Sequence, residues 1–178
     1  TASERGWTVP GDVGGDGLSN LVWRNPSNGA NVIWHMDSTN IIGGQGLPSV
    51  TDPSWQLAAT GDFNADGQLD VLWRNATTGV NVVWYLNTGA YIGQGSLPTL
   101  AAPSWVIGAV TDFNQDGWPD VLWRNLSSGT NLVWYLNGTS IALQAELPAV
   151  AIQSWQIAAR ADMNQDGFPD VIWRNLAS

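Results

Sequence analysis

The chain has 178 residues, no cysteine, and six arginines without a single lysine against fifteen acids, for a net charge of −9. Without thiols, neither disulfides nor zinc–thiolate chemistry can hold the fold, and an acidic chain offers no surface for nucleic acid. No stretch approaches the roughly 20 apolar residues of a membrane span, so no membrane insertion is expected. In chain order, Trp7 opens a first strand, and the loop Asp12-Val-Gly14-Gly-Asp16-Gly17-Leu-Ser-Asn20 follows it. Trp23 and Trp34 mark the next two strands, and Leu47-Pro48 ends the unit. The second unit runs Trp55–Gly61, the loop Asp62–Asp70, Val71–Asn75, a turn to Gly79, Val80–Leu86, a turn at Asn87-Thr-Gly89, and Tyr91–Leu97 before Pro98. These segments are rich in Val, Trp, Ile and Tyr and bounded by turn residues, so each reads as a strand.

A spacing of 50 governs the whole chain: Trp23, Trp73, Trp123 and Trp173 recur with it, as do Trp34, Trp84 and Trp134, and Trp55, Trp105 and Trp155. Trp7 precedes Trp55 by 48, a two-residue shortening of the first unit, and of the twelve tryptophans only Trp118 has no place in the repeat. Residues 1–178 therefore form a single repeat array with units at about 7–50, 55–100 and 105–150 and a half-unit at about 155–178. In Val80–Leu86, Val80, Val82, Trp84 and Leu86 share one face while Val83 and Tyr85 lie on the other. A four-stranded sheet that is apolar on both faces must be sandwiched between copies of itself. Radial stacking of such sheets is a β-propeller; a stacked β-solenoid is the competitor, for which 50 residues and four turns make a long coil. The Ala58-Ala59 pair suits the crowded innermost strand. Three complete blades and an open hairpin, Trp155–Asn175, are too few to close alone. The chain is thus either a fragment of a longer propeller or a homo-oligomer, its unpaired edge at Val171–Asn175 inviting another strand.

The loop pattern D-x-N-x-D-G-x-x-D occurs at Asp62, Asp112 and Asp162. Oxygen side chains at positions 1, 3 and 5 can converge on a hard cation, glycine at position 6 permits the reversal, and aspartate at position 9 closes the shell. This is not an EF-hand, because Trp73, Trp123 and Trp173 stand where its glutamate would be. The expected ligands of three calcium ions are Asp62, Asn64, Asp66 and Asp70; Asp112, Asn114, Asp116 and Asp120; and Asp162, Asn164, Asp166 and Asp170. Gln68, Trp118 and Phe168 would add backbone carbonyls. The first loop keeps Asp12, Asp16 and Asn20 but has Gly14 at position 3, so it is expected to bind weakly or stay empty. Eleven of the fifteen acids lie in the four loops, and the remainder of the chain is slightly positive. The acidity is concentrated where cations would neutralise it.

The run D-F-N-x-D-G-x-x-D-V-L-W-R-N, followed by G-x-N-x-V-W-Y-L-N, resembles the FG-GAP/VCBS-type repeat. The resemblance covers nearly the whole chain. It implies calcium-binding propeller blades like those of integrin α-subunits and some lectins, with the metal loop between the first and second strands of each blade. The first loop, with Gly14 and Asn20, departs from that pattern.

Arg24, Arg74, Arg124 and Arg174 recur with the tryptophans and are expected to be structural, reaching backbone oxygens or stacking on aromatic faces between blades. Trp118 occupies loop position 7, where its side chain is free to project, and is a candidate for stacking on a sugar or a partner. Sequons stand at Asn75, Asn125 and Asn137. His35, the only histidine, aligns with Tyr85 and Tyr135 and reads as packing. With only Glu4, Asp37, Asp52 and Glu146 outside the loops, nucleophile–base sets are scarce, and no enzyme is expected. The sequence therefore points to a secreted, calcium-stabilised binding module that recognises glycans or extracellular proteins through repeated weak sites. The alternative is a self-assembling cell-surface or filament-forming unit.

Overall fold

The structure is a computed structural model that describes residues 7–14, 17–101 and 103–177. It is all β. The first sheet is β1 (Trp7–Gly11), β2 (Asn20–Arg24), β3 (Asn31–Asp37) and β4 (Asn40–Leu47), and the second is β5 (Trp55–Gly61), β6 (Asp70–Asn75), β7 (Asn81–Asn87) and β8 (Ala90–Leu97). The third is β9 (Trp105–Thr111), β10 (Asp120–Asn125), β11 (Asn131–Asn137) and β12 (Ser140–Leu147), and β13 (Trp155–Ala161) with β14 (Asp170–Asn175) is a lone hairpin. Every sheet is antiparallel and keeps its strands in chain order. Strand ends differ from the sequence-based expectation by one residue at most. Asp70 joins β6 by pairing with Gly61, and Val80 drops out because its carbonyl accepts from Asn75 N at 2.8 Å to close the turn.

The first strands β1, β5, β9 and β13 lie side by side, whereas the outer strands β4 and β8 come much less close. The sheets thus fan out from one inner edge, as propeller blades do. Small residues make that edge possible. A Cβ on Gly108 of β9 would sit 2.5 Å from Ile157 Cδ1 of β13, and on β5 the register slips past Ala58 between Leu57 and Ala59.

The cores lie between sheets. Val13, Val22, Ile33 and Leu47 of the first blade meet Leu57, Val71, Trp73, Trp84 and Leu86 of the second. Phe63, Leu72, Val83 and Leu97 of the second meet Val121, Trp123, Trp134 and Leu136 of the third. Leu122 and Val133 of the third meet Ile157 and Val171 of the hairpin. Both faces of β7 are therefore spent on packing, which is why Val83 and Trp84, on opposite faces, are both buried.

Three of the recurring arginines, Arg24, Arg74 and Arg124, join blade to blade. Arg74 Nη1 donates to Gly79 O at 3.1 Å and Asn81 Oδ1 at 3.0 Å, and Nη2 donates to Leu100 O at 3.0 Å. Its guanidinium carbon also lies 4.7 Å from the Trp123 ring of the next blade. Gly79 is left-handed at φ 77° and backs directly onto the Leu100 carbonyl, so no side chain fits there.

Candidate functional site

The Asp loops join the first and second strands of each blade, on the same face of the array as the turns between third and fourth strands. In the second loop, Asp62 Oδ1 accepts from Asp66 N at 3.2 Å and Oδ2 from Gly67 N at 2.8 Å. Asn64 Oδ1 also accepts from Asp66 N, at 3.0 Å, while its Nδ2 donates to Asp66 Oδ2 at 3.0 Å. Asp66 Oδ1 accepts from Gln68 N at 2.9 Å. The third and fourth loops repeat this set around Asp112, Asn114, Asp116 and Trp118 N and around Asp162, Asn164, Asp166 and Phe168 N. Gly67 at φ 83° makes the predicted reversal, and position 4 is left-handed as well, with φ of 58° at Ala65, 64° at Gln115 and 61° at Gln165.

Position 9 does more than its sequence reading assigned. Asp70 is wholly buried; its Oδ2 accepts from Phe63 N at 2.9 Å and its Oδ1 from Leu86 N, at the end of β7, at 3.0 Å. It thereby clamps the loop to the third strand of its own blade. Asp120 does the same with Phe113 N at 2.7 Å and Leu136 N at 2.9 Å. Asp170 holds Met163 N at 2.9 Å and is half-buried in the hairpin. Asp12, in the first loop, accepts from Gly17 N at 2.9 Å, and Asn20 Oδ1 accepts from Gly14 N at 2.7 Å; the buried Asn20 Nδ2 has no partner. Asp16 lies outside the described residues.

Burial pushes the Asp70 carboxyl up to about 6, and the charges of Asp66 and Asp62 push the same way, against the pull of its two amide bonds. Burial likewise raises Asp120, with Asp116 and Asp112 adding to it. The charges acting on both groups are thus of their own sign. Among the described residues no three Asp, Glu or His side chains are already gathered closely enough to grip a metal, because the loop oxygens are turned onto loop amides. The chemistry of the donor set nevertheless suits a hard cation: the side chains at positions 1, 3, 5 and 9 all carry oxygens. The one bond that opposes it, from Asn64 to Asp66, is exposed and yields to side-chain rotation.

The raised carboxyl gives a pH dependence of unusual sign. A folded value near 6 for Asp70, above the unfolded value of about 3.9, means that the folded state holds more protons between those limits. Metal-free protein should therefore gain stability as pH falls from 7 towards 5, by about 1 kcal/mol for this residue. Urea midpoints across that range test it, and a steady loss of stability on acidification would refute it.

The predicted contact residue Trp118 is half-buried and does not project freely. Its ring approaches the turn of its own blade, where a Cβ on Gly138 would lie 3.8 Å from Cζ3. Gln68, the matching residue, likewise turns inward, its Oε1 accepting from Thr88 N. Phe168, in the hairpin, is the position-7 aromatic that stays open, at 49 % exposure. Of the sequons, Asn75 is buried and uses its Oδ1 to accept from Thr77 N and Thr78 N, both at 3.0 Å. Asn125 is half-buried, and only Asn137 is exposed.

The pattern of the FG-GAP-like repeat family matches residues 62–123 and 112–173. The chain belongs to that family. Each matched stretch of the FG-GAP-like repeat starts at an Asp loop and ends on the second-strand tryptophan of the following blade, so the family's unit straddles an inter-blade core. No curated protein matches the chain. A pocket that sequence reading did not anticipate adjoins the core between the first and second blades: about 220 Å³, walled by Val50, Trp55, Trp73, Val82, Trp84 and Gln94. The indole Nε1 of Trp73 is buried without a hydrogen-bond partner.

Proposed function

We propose that this FG-GAP-like repeat protein is a calcium-stabilised extracellular binding module whose ligand is a carbohydrate. The observation that carries the reading is the pocket of about 220 Å³ with three tryptophans and the Gln94 amide on its walls. Apolar walls with a few polar groups are what small-ligand sites use; Trp73 and Trp84 belong to the core behind the pocket, and the half-buried Trp55 indole suits the C–H face of a sugar ring while the exposed Gln94 amide suits its hydroxyls. Calcium would be held by Asp62, Asn64, Asp66 and Asp70 with the Gln68 carbonyl, and by the matching residues of the third and fourth loops; it would supply positive charge to carboxylates that otherwise repel. Sites of this kind have dissociation constants of roughly 0.1–1 mM outside cells, which supports a secreted or cell-surface location.

A glycan array probed with calcium-loaded protein tests the ligand. Binding to at least one glycan, weakened severalfold by Gln94→Ala at unchanged melting temperature, is the expected result. A folded, calcium-loaded protein that binds no glycan would reject the carbohydrate reading.

A further inference from the structure

Arg124 is a buried cation with an incomplete set of partners. It is 1 % exposed. Its Nη1 donates to Gly129 O at 3.3 Å and Asn131 Oδ1 at 3.2 Å, and its Nη2 to Val150 O at 3.0 Å and Ile152 O at 3.4 Å. All four acceptors are neutral, and the buried Nε–H has no partner at all. Burial lowers the pKa of Arg24 and Arg124 alike, but only for Arg24 does a carboxylate, that of Asp52, push back. Ile152 stands at the position that matches Asp52, so the joint of Arg124 lacks that counter-charge.

The same side chain forms part of the wall of a cleft of about 210 Å³, together with Val106 and Ile107 of β9, Gln156 and Ile157 of β13, and Leu126. The cleft lies inside the array, between first strands that pack side by side. Gln156 is exposed, which puts its amide at the mouth. A buried donor needs an acceptor, and a buried guanidinium without a counter-ion needs an anion. Water in the cleft would meet the first need and leave the second.

We infer that this cleft is a binding site for a small carboxylate, whose oxygens accept from Arg124 Nε and from the Gln156 amide while its carbon skeleton lies against Val106, Leu126 and Ile157. Hydrogen bonds between charged partners are the strong ones, and here one bond satisfies both the orphan donor and the orphan charge. A monoanion matches the single cation in the cleft, whereas a phosphate dianion would add a further charge to a chain already at −9. The volume is below the roughly 300–1,000 Å³ of sites for drug-sized ligands, so the occupant is a small organic acid or one uronic-acid unit of a sugar. The site is separate from the pocket beside Trp55 and stands or falls independently of it.

Calorimetric titration of the full chain with acetate, glucuronate and glucose at low salt tests this. An acid is expected to bind with a dissociation constant of roughly 1–10 mM, as two hydrogen bonds to a charged group allow, and glucose is expected not to bind. Glucuronate bound at least tenfold better than acetate assigns the site to an acidic sugar, and equal binding assigns it to the carboxylate alone. Gln156→Glu, at an exposed side chain, places a carboxylate of the chain itself at the mouth. That variant should bind either acid at least tenfold more weakly and melt higher, because Arg124 gains its counter-charge from within. Glucose bound as well as glucuronate would overturn the site, and so would the absence of binding by either acid. Binding untouched by Gln156→Glu would overturn it too, by putting the anion elsewhere, such as against a loop calcium.

Discussion

Chelation of calcium is expected to lower the melting temperature by about 10 °C. At ~1 mM calcium and a dissociation constant near 0.1 mM, each occupied loop adds about 1.4 kcal/mol, and three loops roughly 4 kcal/mol. A chain of this length loses roughly 2–4 °C for each kcal/mol, and 4 kcal/mol is a large share of a total near 5–15 kcal/mol. The assignment to particular loops can be checked by substitution. Asp116→Asn with Asp112→Asn should remove about a third of the chelation shift, because one donor set of three is lost. Asp12→Asn should leave the shift unchanged, since the first loop has Gly14 in place of the position-3 oxygen. Scanning calorimetry with and without chelator reads both, and a melting temperature indifferent to chelation would end the calcium proposal.

Trp123→Ala should be at least as damaging, by about 3–5 kcal/mol, the usual cost of deleting a large buried aromatic. Trp123 is 0 % exposed, pairs with Trp134 at 4.8 Å and receives Arg74 from the preceding blade. The substitution opens a cavity at the centre of the second core and strips a desolvated guanidinium of its aromatic face, a contact worth roughly 0.5–2 kcal/mol. Trp118→Ala is the internal comparison. Its side chain is half-buried against a turn, outside the core, and its loss should cost under about 1 kcal/mol. Urea midpoints separate the two, and equal costs would mean that the periodic tryptophans are not the core.

The fold was legible because the sequence repeats its own errors and successes at one spacing. A strand that reads ambiguously once, such as Val171–Asn175, is settled by Val71–Asn75 and Val121–Asn125. The structural role of the arginines was legible for the same reason, since a charge that returns in step with buried tryptophans has a partner in the next unit. The double duty of Asp70 was not legible. Its second amide partner, Leu86, lies 16 residues on, near the end of the next strand, and nothing local in D-G-x-x-D announces it. The left-handed residue at loop position 4 was hidden by Ala65, Gln115 and Gln165, none of which favours that conformation; the glycine at 15 in the first loop was the available sign. Periodic Asn31, Asn81 and Asn131 passed as part of a motif, although each donates from Nδ2 to the carbonyl of Pro48, Pro98 or Pro148 at 2.8 Å and so ties the start of the third strand to the end of the fourth. Trp118 misled because its backbone role was taken to free its side chain, whereas the nearby turn gives the ring somewhere to pack.

The likeness of the three joints also creates a hazard during folding. Arg24 would fit over Trp123 about as well as over Trp73, and a blade from a neighbouring chain would fit as well as the chain's own. What biases the choice is the tether. Only residues 48–54 separate β4 from β5, and a link that short holds the correct neighbour at an effective concentration in the millimolar range. Below that range the chain's next blade wins; in a crowded solution of unfolded chains it does not, and blades are exchanged between molecules. Lengthening this segment with glycine and serine would thus leave every contact of the folded state in place while making correct assembly depend on dilution.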